Sequence, residues 1–175
     1  KHMYPSAEQC GKCHESHYKE WSVSAHAYAA ISPMFNKFEQ TINDLSKGTI
    51  HYFCMRCHSP VGTSIAYPRS ESIWDSIPAA REGVTCIVCH RVVEHYGKVN
   101  GERRVETGSI FEPIVGSGRG GSKLHHVLSK KDHYKVKTSA DEKGPGQEIH
   151  TGVIKFKQLT KSSFCVGCHQ VAVYP

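Results

Sequence analysis

Cys10-Gly11-Lys12-Cys13-His14, Cys54-Met55-Arg56-Cys57-His58, Cys86-Ile87-Val88-Cys89-His90 and Cys165-Val166-Gly167-Cys168-His169 share one spacing and use all eight cysteines of the chain. Cys-x-x-Cys-His is the spacing of covalent haem attachment. Two cysteines one helical turn apart match the two vinyl groups on one porphyrin edge, and the next residue brings an imidazole under the iron as proximal ligand. Four disulfides would also consume eight cysteines, and paired cysteine knuckles would hold zinc, but neither explains a histidine after every pair. A thioredoxin-like redox motif would sit near a βαβ pattern, which the sequence lacks. The residues therefore predict four haem c groups, held by Cys10, Cys13, Cys54, Cys57, Cys86, Cys89, Cys165 and Cys168, with His14, His58, His90 and His169 on the irons.

The sixth ligand separates an electron carrier from a catalyst, because an open iron binds small molecules. Methionine is scarce, with three residues, and Met55 lies inside a motif. Nine histidines remain beyond the proximal four: His2, His17, His26, His51, His95, His125, His126, His133 and His150. Bis-histidine ligation is the natural expectation. His26, on the opposite helix face from Cys10, Cys13 and His14, is placed to reach another haem of the same chain. The pair His125-His126 comes next, then His150, and His51 is a candidate for a neighbouring haem. His17 cannot serve the iron held by His14, since both approach the same side. It is a surface or propionate contact, or a ligand to another haem, including one in a neighbouring molecule. His95 and His133 sit among charges and read as solvated.

The elements that must position these groups are short. Ser6 and Gln9 predict a capping box, with helix continuing to about Ala30. Ser32-Pro33 predicts the start of a second helix, Met34, Phe35, Phe38, Ile42 and Leu45 its packed stripe, and Gly48 its end. Residues 59–83 read as irregular, punctuated by Pro60, Pro68 and Pro78, with a short helix near Trp74. Tyr96 to Glu106 reads as a hairpin turning at Asn100-Gly101. Gly116 to Gly121 and Asp141 to Gly146 read as loops, and residues 91–164 as a wrap supplying distal ligands. The predicted fold is mainly α with long irregular loops and one small β-hairpin, a single haem-cored domain over residues 1–175.

Composition fits that core. At 175 residues the chain is 38% apolar with a mean hydropathy of −0.45, too few core-forming side chains unless porphyrins fill the interior. The formal charge of +6 is offset by about two propionates on each haem, so it does not imply nucleic acid as a partner. No apolar run approaches the ~18 residues of a membrane span. Lys1 and a first cysteine at position 10 read as a processed chain. Covalent haem attachment is made outside the cytoplasmic membrane, which predicts a periplasmic or extracellular protein.

Three segments together resemble a known group: Cys10-x-x-Cys13-His14 with Tyr18, Trp21 and Ser24-Ala25-His26-Ala27; Gly83-Val84-Thr85-Cys86-x-x-Cys89-His90; and Ser163-Phe164-Cys165-x-x-Cys168-His169. They resemble the tetrahaem cytochrome superfamily that includes the electron acceptor of bacterial hydroxylamine oxidation. The resemblance implies haems in close parallel and perpendicular pairs, and His26 as distal ligand to the haem of His90. Some members leave the second motif's haem five-coordinate; His51 leaves that open here. Cys-x-x-Cys-His-x-x-His, ending at His17, is similar to subunits of extracellular cytochrome filaments, where the extra histidine ligates a haem of the adjacent subunit. The expected function is electron transfer with redox proteins as partners, as a periplasmic carrier or a filament subunit, and not an enzyme. The alternative is a small reductase or oxidase of nitrogen or sulfur compounds acting at one open haem.

Overall fold

The computed structural model describes residues 4–95, 100, 101 and 103–171, with the side chains of 93–95 outside that set. Ser6 opens α1 (Ala7–Gly11): its hydroxyl accepts from the Gln9 amide while the Gln9 side chain accepts from the Ser6 amide. The helix does not run on to Ala30. His14 leaves helical space at φ −107°, ψ 51°, and the chain restarts as α2 (Glu15–Ser22) and, after a Ser24 cap, α3 (Ala25–Tyr28). Propensity alone favoured continuity; a side-chain cap at Ser24 and the turn at His14 outweigh it.

α4 (Pro33–Leu45) follows the sequence pattern at both ends. Ser32 Oγ accepts from the Phe35 amide, Pro33 is the first helical residue, and the Gly48 amide closes on Asn43 O with φ +79°. Of its stripe, predicted to pack against other helices or a haem face, Phe35 packs on the core and on His58. Met34, Phe38, Ile42 and Leu45 are 68%, 60%, 39% and 80% exposed, and the buried residue of this helix is Glu39. Periodicity shows which side of a helix is apolar, not that anything covers it.

The tract 59–83 is more helical than its prolines suggest. α5 (Met55–His58) is followed by α6 (Pro60–Ser64), a 3₁₀ turn at Ile73–Asp75 near Trp74, as predicted, and α7 (Pro78–Arg81). Pro60 and Pro78 occupy first-turn positions, where a missing N–H costs nothing. Ser59, fully buried, donates to Ala80 O (2.7 Å) and accepts from the Gly62 amide, joining α6 to α7. Around them lies a small core of Val61, Ile73, Ala79, Ala80, Met55, Ile87, Val88, Val105, Tyr4 and Ala30.

α8 (Cys86–His90) leads into β1 (Val92–His95), which pairs antiparallel with β2 (Arg103–Val105). This is a small antiparallel hairpin around the predicted one. His95 faces Arg103, and Asn100 and Gly101 both have positive φ, as the predicted turn requires. Val99 and the other residues of 96–99 lie outside the described set. Beyond it, β3 (Ile114–Gly116) pairs parallel with β6 (Val153–Lys155), and β4 (Val136–Lys137) with β5 (Gln147–Glu148). Between them α9 (Gly121–Ser129) carries the His125-His126 pair, and α10 (Val166–His169) carries the last motif. The whole is mainly helical with small two-stranded sheets and long loops.

Candidate haem sites

All four motifs adopt one local form. The amides of His14, His58 and His169 donate to the carbonyls of Cys10, Cys54 and Cys165 at 3.0, 3.2 and 3.0 Å, and Cys86 to His90 is one continuous turn of α8. A turn of helix thus places both thiols on one side and the imidazole beyond them, as the spacing predicted.

The tertiary structure gathers the motifs in pairs. The Cys10 and Cys86 sulfurs lie side by side, and so do those of Cys57 and Cys168. Each neighbour splits the acidity of its pair, with Cys10 and Cys57 pushed up and Cys86 and Cys168 drawn down. Burial pushes the Cys89 thiol up to about 11, with Cys165 and Cys168 among its neighbours. First and third motifs therefore adjoin, as do second and fourth. As disulfides these contacts would strand Cys13, Cys54, Cys89 and Cys165, whereas haem attachment employs every thiol.

Two proximal imidazoles are oriented by backbone carbonyls. Nδ1 of His58 donates to Ala29 O (3.0 Å) and Nδ1 of His90 to Val115 O (2.9 Å), which leaves Nε2 of each ring as the free lone pair for a metal. Phe35 stacks on the His58 ring at 3.9 Å and 5°.

Second imidazoles stand near the other two. Two metal–nitrogen bonds of about 2 Å each, plus the half-widths of two rings, put the centroids of an axial pair roughly 6–6.5 Å apart. His14 and His150 are 6.5 Å apart with ring planes within 6°, and His26 and His169 are 6.0 Å apart at 56°. Burial lowers the pKa of His14 and of His150, which keeps both rings in the neutral form a ligand must have. The resemblance pointed His26 towards His90; the proximal ring beside it is His169.

The remaining histidines are elsewhere. His51 stands exposed in the turn before the second motif at φ +47°, its carbonyl accepting from Arg69 Nε. His125 and His126 are exposed on α9; His126 and His133 both meet Tyr134 edge-on, and among the described residues no ring contact joins them to a proximal histidine. The His17 side chain is 79% exposed, 3.8 Å from Glu20 and with its ring 6.2 Å from that of His14. His2 and the His95 side chain lie outside the described residues.

Sequence reading missed two arginines. Arg91 is 4% exposed and donates to the carbonyls of Ser109 and Glu112, and Arg103 lies over the Phe164 ring at 4.2 Å. Both keep buried N–H donors with no hydrogen-bond partner among the described residues. Arg91 acts on Cys10, and Arg103 on Cys57, Cys168 and Cys89, so each cation stands by one cysteine pair. Spare buried donors suit a cofactor that brings carboxylates. Arg91 directly follows His90, and that adjacency was the one available signal. Cysteines in the attachment spacing, imidazoles at axial separation and spare buried donors all fit haem.

Comparison with known proteins agrees. The family cytochrome c554 and c-prime matches residues 9–91, which hold the first three motifs. A penta-haem cytochrome c552 from Thermochromatium tepidum is similar in structure, with a TM-score of 0.64 and 24% identity over 98% of this chain. The chain spans about half of that protein, 47% of its length, and at this identity the likeness shows the fold alone. No curated protein matches. Together with the four motifs these findings support a multihaem c-type cytochrome fold. One expectation is overturned, that the chain is not an enzyme: the family match and the penta-haem likeness point to a class that is not clearly non-enzymatic.

Proposed function

We propose that residues 1–175 form one tetrahaem unit that relays electrons, with each haem tied by the two cysteines of its motif. His14 with His150, and His26 with His169, form two bis-histidine pairs. The haem supplies a one-electron iron couple. The chain sets which centres adjoin, through Cys10 beside Cys86 and Cys57 beside Cys168, and fixes imidazole orientation through Ala29 O and Val115 O. The observation that carries this reading is the axial separation of the two histidine pairs, reached by residues far apart in sequence. Intact mass with a pyridine haemochrome assay tests it. Four covalent haems per chain are expected, and any other number refutes the tetrahaem unit.

His17 supports a finer assignment. Its side chain is exposed and it stands only three residues from His14, too near in sequence to reach the far face of that haem, so it serves a haem of an adjacent copy, giving a homopolymer. Native material viewed by negative stain is expected to form filaments that His17→Ala abolishes; a chain that stays monomeric at high concentration refutes this. Redox proteins are the expected partners of either form, in the periplasm or outside the cell. Among the described residues no helix is long and apolar enough to cross a membrane.

A second reading is favoured where no second imidazole stands by. Among the described residues neither His58 nor His90 has a ring contact with another imidazole, and the ring that meets His58 is Phe35. An open iron there would bind small molecules. A high-spin ferric signal that shifts with cyanide, and disappears with Cys54→Ser and Cys57→Ser, is the expected result; uniformly low-spin haem refutes it.

A further inference from the structure

A cavity of about 460 Å³ opens beside α2 and α3, within the range of small-molecule sites. Tyr18, Trp21, Tyr28 and Trp74 supply its aromatic walls, and Arg81 and Glu82 its polar groups. Neither cysteine nor histidine lines it.

The lining is fixed in advance. The Trp21 indole N–H donates to Val84 O (2.9 Å), and Arg81 Nη1 donates to Trp74 O (3.2 Å), which holds the guanidinium at the rim. One Glu82 oxygen accepts from both the Ala7 amide and Thr85 Oγ1, leaving the other uncommitted. Tyr28 and Trp74 are 52% and 53% exposed, although aromatic rings of this size are ordinarily covered. Aromatic faces joined to a guanidinium donor suit a planar aromatic molecule that carries a carbonyl. Tyr18 also touches the first motif: a Cβ on Gly11 would lie 2.8 Å from its Cγ, so the cleft wall is one side chain from Cys10 and Cys13.

We propose that this cleft binds a quinone-class molecule of about two fused rings, placing a redox-active small molecule against the first motif. The proposal rests on the electron-relay reading above and names a partner for it. The test is equilibrium dialysis of the intact haem-loaded chain with menadione. One saturable site per chain is expected, weakened about tenfold by Trp74→Ala and by Tyr28→Ala, since each removes a stacking face. Phe38→Ser, which alters the exposed stripe of α4 instead, is expected to leave binding unchanged. The absence of a saturable site overturns the proposal, as do cleft variants that bind like the parent or a Phe38→Ser variant that loses binding equally. Dithionite reduction of the same samples reports separately on the relay: haems that fail to reduce would sink that reading while leaving the dialysis result to judge the cleft.

Discussion

Replacing His26 with alanine removes the ring that stands 6.0 Å from His169 and leaves the surrounding contacts intact. The His26 carbonyl, which accepts from the Val84 amide at 3.0 Å, belongs to the backbone and remains. The side chain is exposed on a four-residue helix, and alanine is the better helix former by well under about 1 kcal/mol. The fold should therefore persist while one iron loses a ligand. One of four motifs is affected, so the added high-spin ferric signal should integrate to about one haem per chain, roughly a quarter of the total. Electron paramagnetic resonance of the oxidised protein reads this directly, and added imidazole should return the signal to low spin. Repeating the substitution in a Cys165→Ser, Cys168→Ser background, which lacks the fourth haem, identifies the iron. There His26→Ala should add no high-spin haem. A full haem equivalent of new signal in that background would show that His26 serves another centre, such as the haem of His90 that the family resemblance implied, and the distance argument would fall.

Three further outcomes follow from the packing. Glu39, 8% exposed, is paired with Arg69, so Arg69→Met should cost about 3–5 kcal/mol in denaturant unfolding by stranding a buried carboxylate, and Glu39→Met added to it should recover most of the loss. Burial raises the Glu82 pKa above its ordinary 4.5, so the folded state holds the proton to higher pH than the unfolded state. Its stabilising contribution is full below 4.5 and fades as pH rises through the raised value, and Glu82→Gln should flatten that segment of the stability–pH curve. Gly83 sits at φ +66° where a Cβ would overlap the His26 carbonyl oxygen, so Gly83→Ala should cost roughly 1–3 kcal/mol and perturb the His26 ligand, seen by melting and by spin state together.

How much was legible depends on the range of each interaction. The capping box at Ser6, the Ser32-Pro33 start and the Gly48 stop are decided within four or five residues, and all stand where the sequence put them. The hairpin is legible in part: Asn100 and Gly101 have the positive φ of the predicted turn, and Val92 facing Val105, both buried, is set by packing that no local signal shows. The parallel pairing of Ile114–Gly116 with Val153–Lys155 had no signal, because three-residue strands carry too short a period to read. Buried Arg91 escaped notice for a similar reason, since nothing local distinguishes it from a solvated arginine.

The haem sites divide along the same line. The sequence by itself determined the four attachment motifs, because two thiols and an imidazole on one helical turn need only local geometry. It could count nine spare histidines but not pair any of them with an iron; His125 and His126 stand exposed on α9. Tertiary structure alone decided which rings meet. The ladder of β3 with β6 begins three residues beyond His150 and carries that segment back along the molecule, and His150 lies opposite His14. Docking of Gly83-Val84 on α3 fixes the backbone of His26, whose ring faces His169. A second ligand must arrive from the far side of the iron, hence from a distant stretch of chain, and only the folded backbone specifies which stretch that is.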